Sequence, residues 1–169
     1  GSKYIPISKK GILHQIRAAM KALCFYAVEI GNADFMNFKM IFLQGSPRLD
    51  FKHKIPTGRL SGVVYHHIPR FFQKNKLPSY KVNVIDNWQE KIGSIIAEVK
   101  DEDLSVIGGI PPWCQQFFEK LLVKTKEQNL KSLFPNLDLY IHGGLDFSSY
   151  RKNIQNLLGD EVNCMQTFP

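Results

Sequence analysis

The chain has 169 residues, 44% hydrophobic and 12% aromatic, and its 22 Lys+Arg against 15 Asp+Glu give a net charge of +7. That length fits one domain, and that composition supplies a core, which excludes intrinsic disorder as a description of the whole. No stretch approaches the ~20 uncharged apolar residues of a membrane span, and Gly1-Ser2-Lys3-Tyr4 lacks the apolar core of a secretory signal, so a soluble, cytoplasmic protein without a membrane partner is expected.

In chain order, Ser8 precedes an apolar series at Ile12, Leu13, Ile16, Met20, Leu23 and Ala27, which is helical spacing, and Gly31-Asn32 supplies a left-handed stop. Met40 to Leu43 reads as a short buried strand running into a turn at Gly45-Ser46-Pro47. From Leu49 to Tyr80 no period is sustained, and the segment reads as an irregular surface excursion. Asp86 with Gln89 makes a capping box for a helix whose apolar face is Trp88, Ile92, Ile95, Ile96 and Val99. Leu104 to Ile107 is a strand ending in Gly108-Gly109, and Pro112 starts a helix striped by Trp113, Phe117, Phe118, Leu121 and Leu122. A strand over Leu137 to Ile141 leads through His142 to Gly143-Gly144. A helix carrying Tyr150, Ile154, Leu157 and Leu158 then precedes a last strand, Val162 to Thr167. Strands alternating with helices predict an α/β fold: a mostly parallel sheet flanked by helices.

In such sheets ligands bind beyond the carboxyl ends of the strands, and both glycine pairs stand there. Gly143-Gly144 would let backbone pass close to a flat ligand, since no Cβ intervenes. Each pair also reads as a plain strand-to-helix turn, Gly108-Gly109 above all. His142 stands at a strand end, where it would line a pocket or hydrogen-bond a substrate. Adjacent His66 and His67 would point opposite ways in a strand, and no His or Cys spacing matches a zinc signature. The three cysteines, Cys24, Cys114 and Cys164, are odd in number and widely spaced, so a disulfide framework is not expected. Cys114 and Cys164 read as core thiols. The basic residues, Lys74, Lys76, Lys124 and Lys131 among them, are spread without a block, which reads as a solvated face rather than a nucleic-acid surface.

Four segments, Lys3-Tyr4-Ile5-Pro6-Ile7-Ser8, Thr57-Gly58-Arg59-Leu60-Ser61-Gly62, Gly108-Gly109-Ile110-Pro111-Pro112-Trp113, and Phe134-Pro135-Asn136-Leu137 through Tyr140-Ile141-His142-Gly143-Gly144, follow in that order. In that order and spacing the chain resembles the acyl-acid amido synthetases of the auxin-responsive promoter family, most of all the bacterial branch. The resemblance runs along essentially the whole chain. It implies the adenylate-forming superfamily: ATP and magnesium activate a small-molecule carboxylic acid to an acyl-adenylate, and the acyl group passes to an amine or amino acid.

The resemblance implies that residues 1–169 are a single α/β subdomain, the middle portion of a larger adenylation domain. It places a phosphate loop before Lys3 and an Ala-Ser-Glu-Gly motif after Pro169. The isolated piece, apart from the rest of its parent chain, is then expected to be inactive and to hold no cofactor. It assigns Lys3, His142, Gly143 and Gly144 to the nucleotide and acyl-adenylate, and Trp113, Phe117 and Tyr150 to the acyl pocket, with no catalytic or metal-binding residue in the chain itself. The competing readings are a thioester-forming acyl ligase of the same superfamily, a non-catalytic nucleotide- or acyl-binding module, and a basic nucleic-acid-binding protein.

Overall fold

A computed structural model describes residues 4–167 and shows the predicted α/β fold. Helix α1 (Lys9–Ile30) begins and ends where its sequence signals stand: Ser8 Oγ accepts from Gly11 N at 3.1 Å, and Gly31 closes the helix at φ 67°. A single 3-10 turn leads into β1 (Lys39–Leu43).

The stretch after β1 is more regular than its sequence suggests. It holds a hairpin of β2 (Asp50–Lys52) and β3 (Ile55–Thr57), then the short helices α2 (Leu60–Tyr65) and α3 (Arg70–Gln73). The two-residue β4 (Lys76–Leu77) and α4 (Tyr80–Asn83) follow. These pieces are too short to show a period. Their conformation comes from packing on the sheet, which a local pattern does not record.

The rest alternates as expected: α5 (Trp88–Val99), β5 (Leu104–Gly109), α6 (Pro111–Thr125), α7 (Leu130–Leu133), β6 (Leu139–His142), α8 (Arg151–Leu158) and β7 (Asn163–Gln166). The structure departs from the sequence signals at three places. The cap of α5 is Asn87, whose side chain accepts from Glu90 N at 3.0 Å, while Asp86 turns away to pair with Arg48 at 3.3 Å. Gly108 and Gly109 lie within β5 rather than in a turn. A Cβ at 108 would stand 2.7 Å from Phe42 Cδ1, and one at 109 would stand 2.8 Å from Cys114 Sγ. The helix after them starts at Pro111, one residue earlier than expected.

The main sheet has the order β4-β1-β5-β6-β7, and every pair in it is parallel. From β1 the chain goes outward to β4 on one side, then crosses back to β5 on the other. The connections therefore diverge at the carboxyl ends of β1 and β5, the position where open α/β sheets form a crevice. Along β1 alternate residues face opposite ways. Ile41 and Leu43 enter the large core under α5, α6 and α8, whereas Met40 joins the smaller cluster under α1 with Leu23, Tyr26, Val106 and Leu139. Tyr26 fixes α1 to the far end of the sheet: its hydroxyl donates to Asp138 Oδ2 at 2.8 Å and accepts from Asn163 Nδ2 at 2.8 Å.

Candidate functional site

At the carboxyl edge the sequence-remote segments meet through glycine. A side chain at Gly45 would stand 2.6 Å from Arg59 Cδ, and one at Gly62 2.8 Å from the Ser46 carbonyl. A Cβ at Gly143 would sit 2.6 Å from Thr167 Oγ1, and one at Gly144 3.3 Å from Ile110 Cγ2. Gly143 is thus used by the close approach of β6 to the end of β7. Gly144 has φ +80°, a conformation that strains any L side chain, so its backbone geometry alone calls for glycine. It also stays exposed at the strand end, beside exposed Leu145.

His142 sits at that edge but is only 3% exposed. Its ring stacks on Phe147 with centroids 3.7 Å apart and lies 5.4 Å from Tyr140. Nδ1 is buried without a hydrogen-bond partner. Burial, and secondarily the Arg151 charge, pushes the pKa down, so the imidazole is neutral at pH 7. This is the geometry of a packed histidine with little surface left for a substrate.

Of the other expected site residues, Lys3 lies outside the described residues. Phe117 is completely buried among the α5, α6 and α8 core side chains, which leaves it no surface for a ligand. Tyr150 packs half-buried against the same core, and Trp113 joins it through Trp88, with ring centroids 5.2 Å apart. The structure keeps these three on one side of the sheet. Cys114 is buried, with its thiol pushed up to about 12 by burial, whereas Cys164 is exposed rather than in the core. Among the described residues no cluster of three or more His, Cys, Asp or Glu could hold a metal ion, and no helix is long and apolar enough to cross a membrane.

The opposite face of the sheet carries a cavity of about 410 Å³ between α1, β1 and the α2–α3 segment. The small cluster under α1 covers only part of this face. The cavity wall is mostly apolar, with Ile16, Met20, Met40, Phe42 and Phe72 prominent, and its polar side chains are Gln15, Gln44, Ser61 and Lys76. That size and a sparse set of polar groups are characteristic of small-molecule sites.

Lys76 is the residue that the sequence conceals. In sequence it is one of many scattered basic residues; in the fold it belongs to the edge strand β4, and its Nζ is buried without a hydrogen-bond partner. The ammonium lies 4.4 Å from the centroid of the Tyr65 ring and 5.9 Å from that of Phe42, so aromatic faces are what it has in place of an anion. Burial pulls its pKa down to about 8. Among the described residues, no Asp, Glu, Arg or His lines the cavity with it.

A second lysine braces the cavity rim. Lys91 Nζ donates to the Asn83 carbonyl at 2.6 Å, to Asn83 Oδ1 at 2.8 Å and to the Gln44 carbonyl at 3.4 Å. It thereby fixes the chain where β1 ends and Gln44 enters the wall. Its pKa is lowered by burial and by the nearby Arg59 charge, so this end of β1 is electropositive. Chemically, the cavity can take an apolar body with one anionic group, and that anion would complete a site now held by cation–π contacts alone. Comparison with known proteins finds no matching family model, and neither a curated protein nor a solved structure that matches the chain.

Proposed function

We propose that this chain is part of an ATP-dependent acyl-acid amido synthetase, and that its cavity receives the carboxylic acid that is adenylated and then conjugated to an amine or amino acid. The observation that carries this reading is the buried, unpaired Lys76 ammonium in an apolar cavity whose wall reaches Gln44 at the carboxyl end of β1. An acid entering there exchanges hydration of its carboxylate for a charge-assisted contact with Lys76, while its apolar body covers Met20, Met40 and Phe42. The nearby crevice between β1 and β5 is where a parallel sheet of this connectivity accepts a second ligand. The open backbone turn at Gly144 fits the flat face of adenine. ATP, when bound, supplies the adenylyl group that turns the carboxylate into an activated acyl group. The chain's own residues hold the acid, orient its carboxylate toward the strand ends and exclude water from its body.

Three of the four segments that resemble the amido synthetases support the same reading, because Thr57–Gly62, Gly108–Trp113 and Tyr140–Gly144 converge at this edge. The test is exchange of labelled pyrophosphate into ATP by the protein that contains these residues. Exchange should depend on an apolar monocarboxylic acid, and Lys76→Met should raise the acid's KM at least about tenfold, the equivalent of one charge-assisted hydrogen bond. Exchange independent of acid, or an acid KM indifferent to Lys76→Met, would contradict the proposal. Saturable acid and ATP binding with no exchange at all would favour a non-catalytic binding module instead.

A further inference from the structure

We propose that Lys76 is also a nucleophilic amine, and that the cavity is a covalent binding site for aldehydes carried on an apolar body. This stands on the cavity itself and not on the amido-synthetase reading. Imine formation needs an uncharged amine with a free lone pair, an apolar surround that removes the water produced, and room for the carbonyl compound. With its pKa lowered to about 8, Lys76 supplies a minor but far larger neutral fraction at pH 7 than an exposed lysine, and it meets the other two conditions. Its Nζ is buried and makes no hydrogen bond, and the cavity beside it offers about 410 Å³ walled by Ile16, Met20, Met40 and Phe42.

No charged group in the described wall holds the ammonium, and the aromatic faces offset only part of the burial that favours the neutral form. From β1 Lys76 meets the Phe42 ring and from α2 the Tyr65 ring, whose hydroxyl is itself kept protonated by burial. Among the described residues, α1 and α3 place no acidic or basic side chain in the wall, and Lys76 is the titratable group that lines the cavity. The depressed pKa, about 8, agrees with this geometry. Lys91 makes the contrast, because it too is withdrawn from water but its Nζ is committed to Asn83 and Gln44.

The reaction balances without a further reagent. The Nζ lone pair attacks the carbonyl carbon to give a carbinolamine. The two hydrogens of the amine then leave with the carbonyl oxygen as water, and a C=N bond joins Lys76 to the aldehyde carbon. The product keeps the apolar body against Met20 and Met40.

The test uses 2-naphthaldehyde at pH 7 with cyanoborohydride to trap the imine, followed by intact mass and peptide mapping of the native chain. The expected result is one dominant adduct on Lys76, formed at least about tenfold faster than on any exposed lysine. A fall in pKa from 10.4 toward 8 raises the neutral fraction roughly 200-fold and lowers intrinsic nucleophilicity by less. Lys76→Met should remove that adduct and leave the slow background. The site mapped in the unmutated chain decides the matter even if that variant folds poorly. A native chain in which Lys76 is unmodified, or modified no faster than exposed lysines, overturns the proposal. Because no acid is present in this assay, its outcome is separate from that of the pyrophosphate exchange.

Discussion

Replacing Lys76 with Met should make the chain more stable. Met keeps most of the apolar stem and removes a buried ammonium that has no hydrogen-bond partner to lose. The pKa falls from 10.5 to about 8, and at 1.36 kcal/mol per unit this corresponds to roughly 3 kcal/mol of cost to the folded state near pH 7. Against this, the cation–π contacts with Tyr65 and Phe42 are worth about 1 kcal/mol and are lost. The net gain is about 2 kcal/mol, or a rise of roughly 4–8 °C in Tm for a chain of this length. The sign with pH follows from the lowered pKa. Between about 8 and 10.5 the unfolded chain holds a proton that the folded chain does not, so the wild type gains stability as pH rises through that window. The advantage of Lys76→Met should therefore be full at pH 7 and shrink steadily above pH 8. Paired urea titrations of both proteins from pH 7 to pH 10 measure it. A variant less stable than wild type at pH 7, or an advantage that does not change with pH, would refute the buried, unpaired ammonium.

Two further perturbations probe the carboxyl edge. Because the His142 pKa is lowered, the unfolded chain takes up a proton below about pH 6.5 that the folded chain resists. Stability should therefore fall from pH 6.5 toward pH 5, and His142→Phe, which preserves the stack on Phe147, should flatten that part of the curve; equal slopes in the two proteins would show that the imidazole titrates freely. Gly144→Ala should cost about 1–2 kcal/mol in a urea titration, and Gly144→Val more, since position 144 has φ +80°. Wild-type midpoints for both variants would mean that the turn does not need its left-handed conformation.

The features legible in the sequence are those governed by local chemistry. Ser8 and Gly31 bound α1 because a cap hydroxyl and a left-handed glycine act within one helical turn. The strands β1, β5 and β6 are apolar runs because a parallel sheet is covered on both faces. Asn87 replaces Asp86 as the α5 cap for a reason outside that local range: Arg48, far along the chain, takes the Asp86 carboxylate. The two-residue β4 exists only through its pairing with β1, and no pattern of two residues can announce it. Lys76 is hidden for the same reason. Lysine stems cross apolar surface to reach water, and nothing in Lys74-Asn75-Lys76-Leu77 distinguishes the lysine that reaches water from the one that β1, α2 and α1 close over. The one local hint is Leu77-Pro78 after it, a strand-like pair in an otherwise unpatterned stretch. Phe117 shows the converse. Its helix-stripe spacing favours a core position over the acyl pocket that the resemblance implies, and the structure places it in the core.

On the proposed reading the Lys76 cavity holds a carboxylic acid through its charge. Isothermal titration of the chain with 4-phenylbutanoic acid and with 4-phenylbutanamide at pH 7 compares ligands of nearly identical shape that differ in one negative charge. The acid should bind at least about tenfold more tightly than the amide, that preference should fade above pH 8 as the ammonium deprotonates, and Lys76→Met should abolish it. Equal affinities for acid and amide, or an acid preference that survives in Lys76→Met, would contradict the claim.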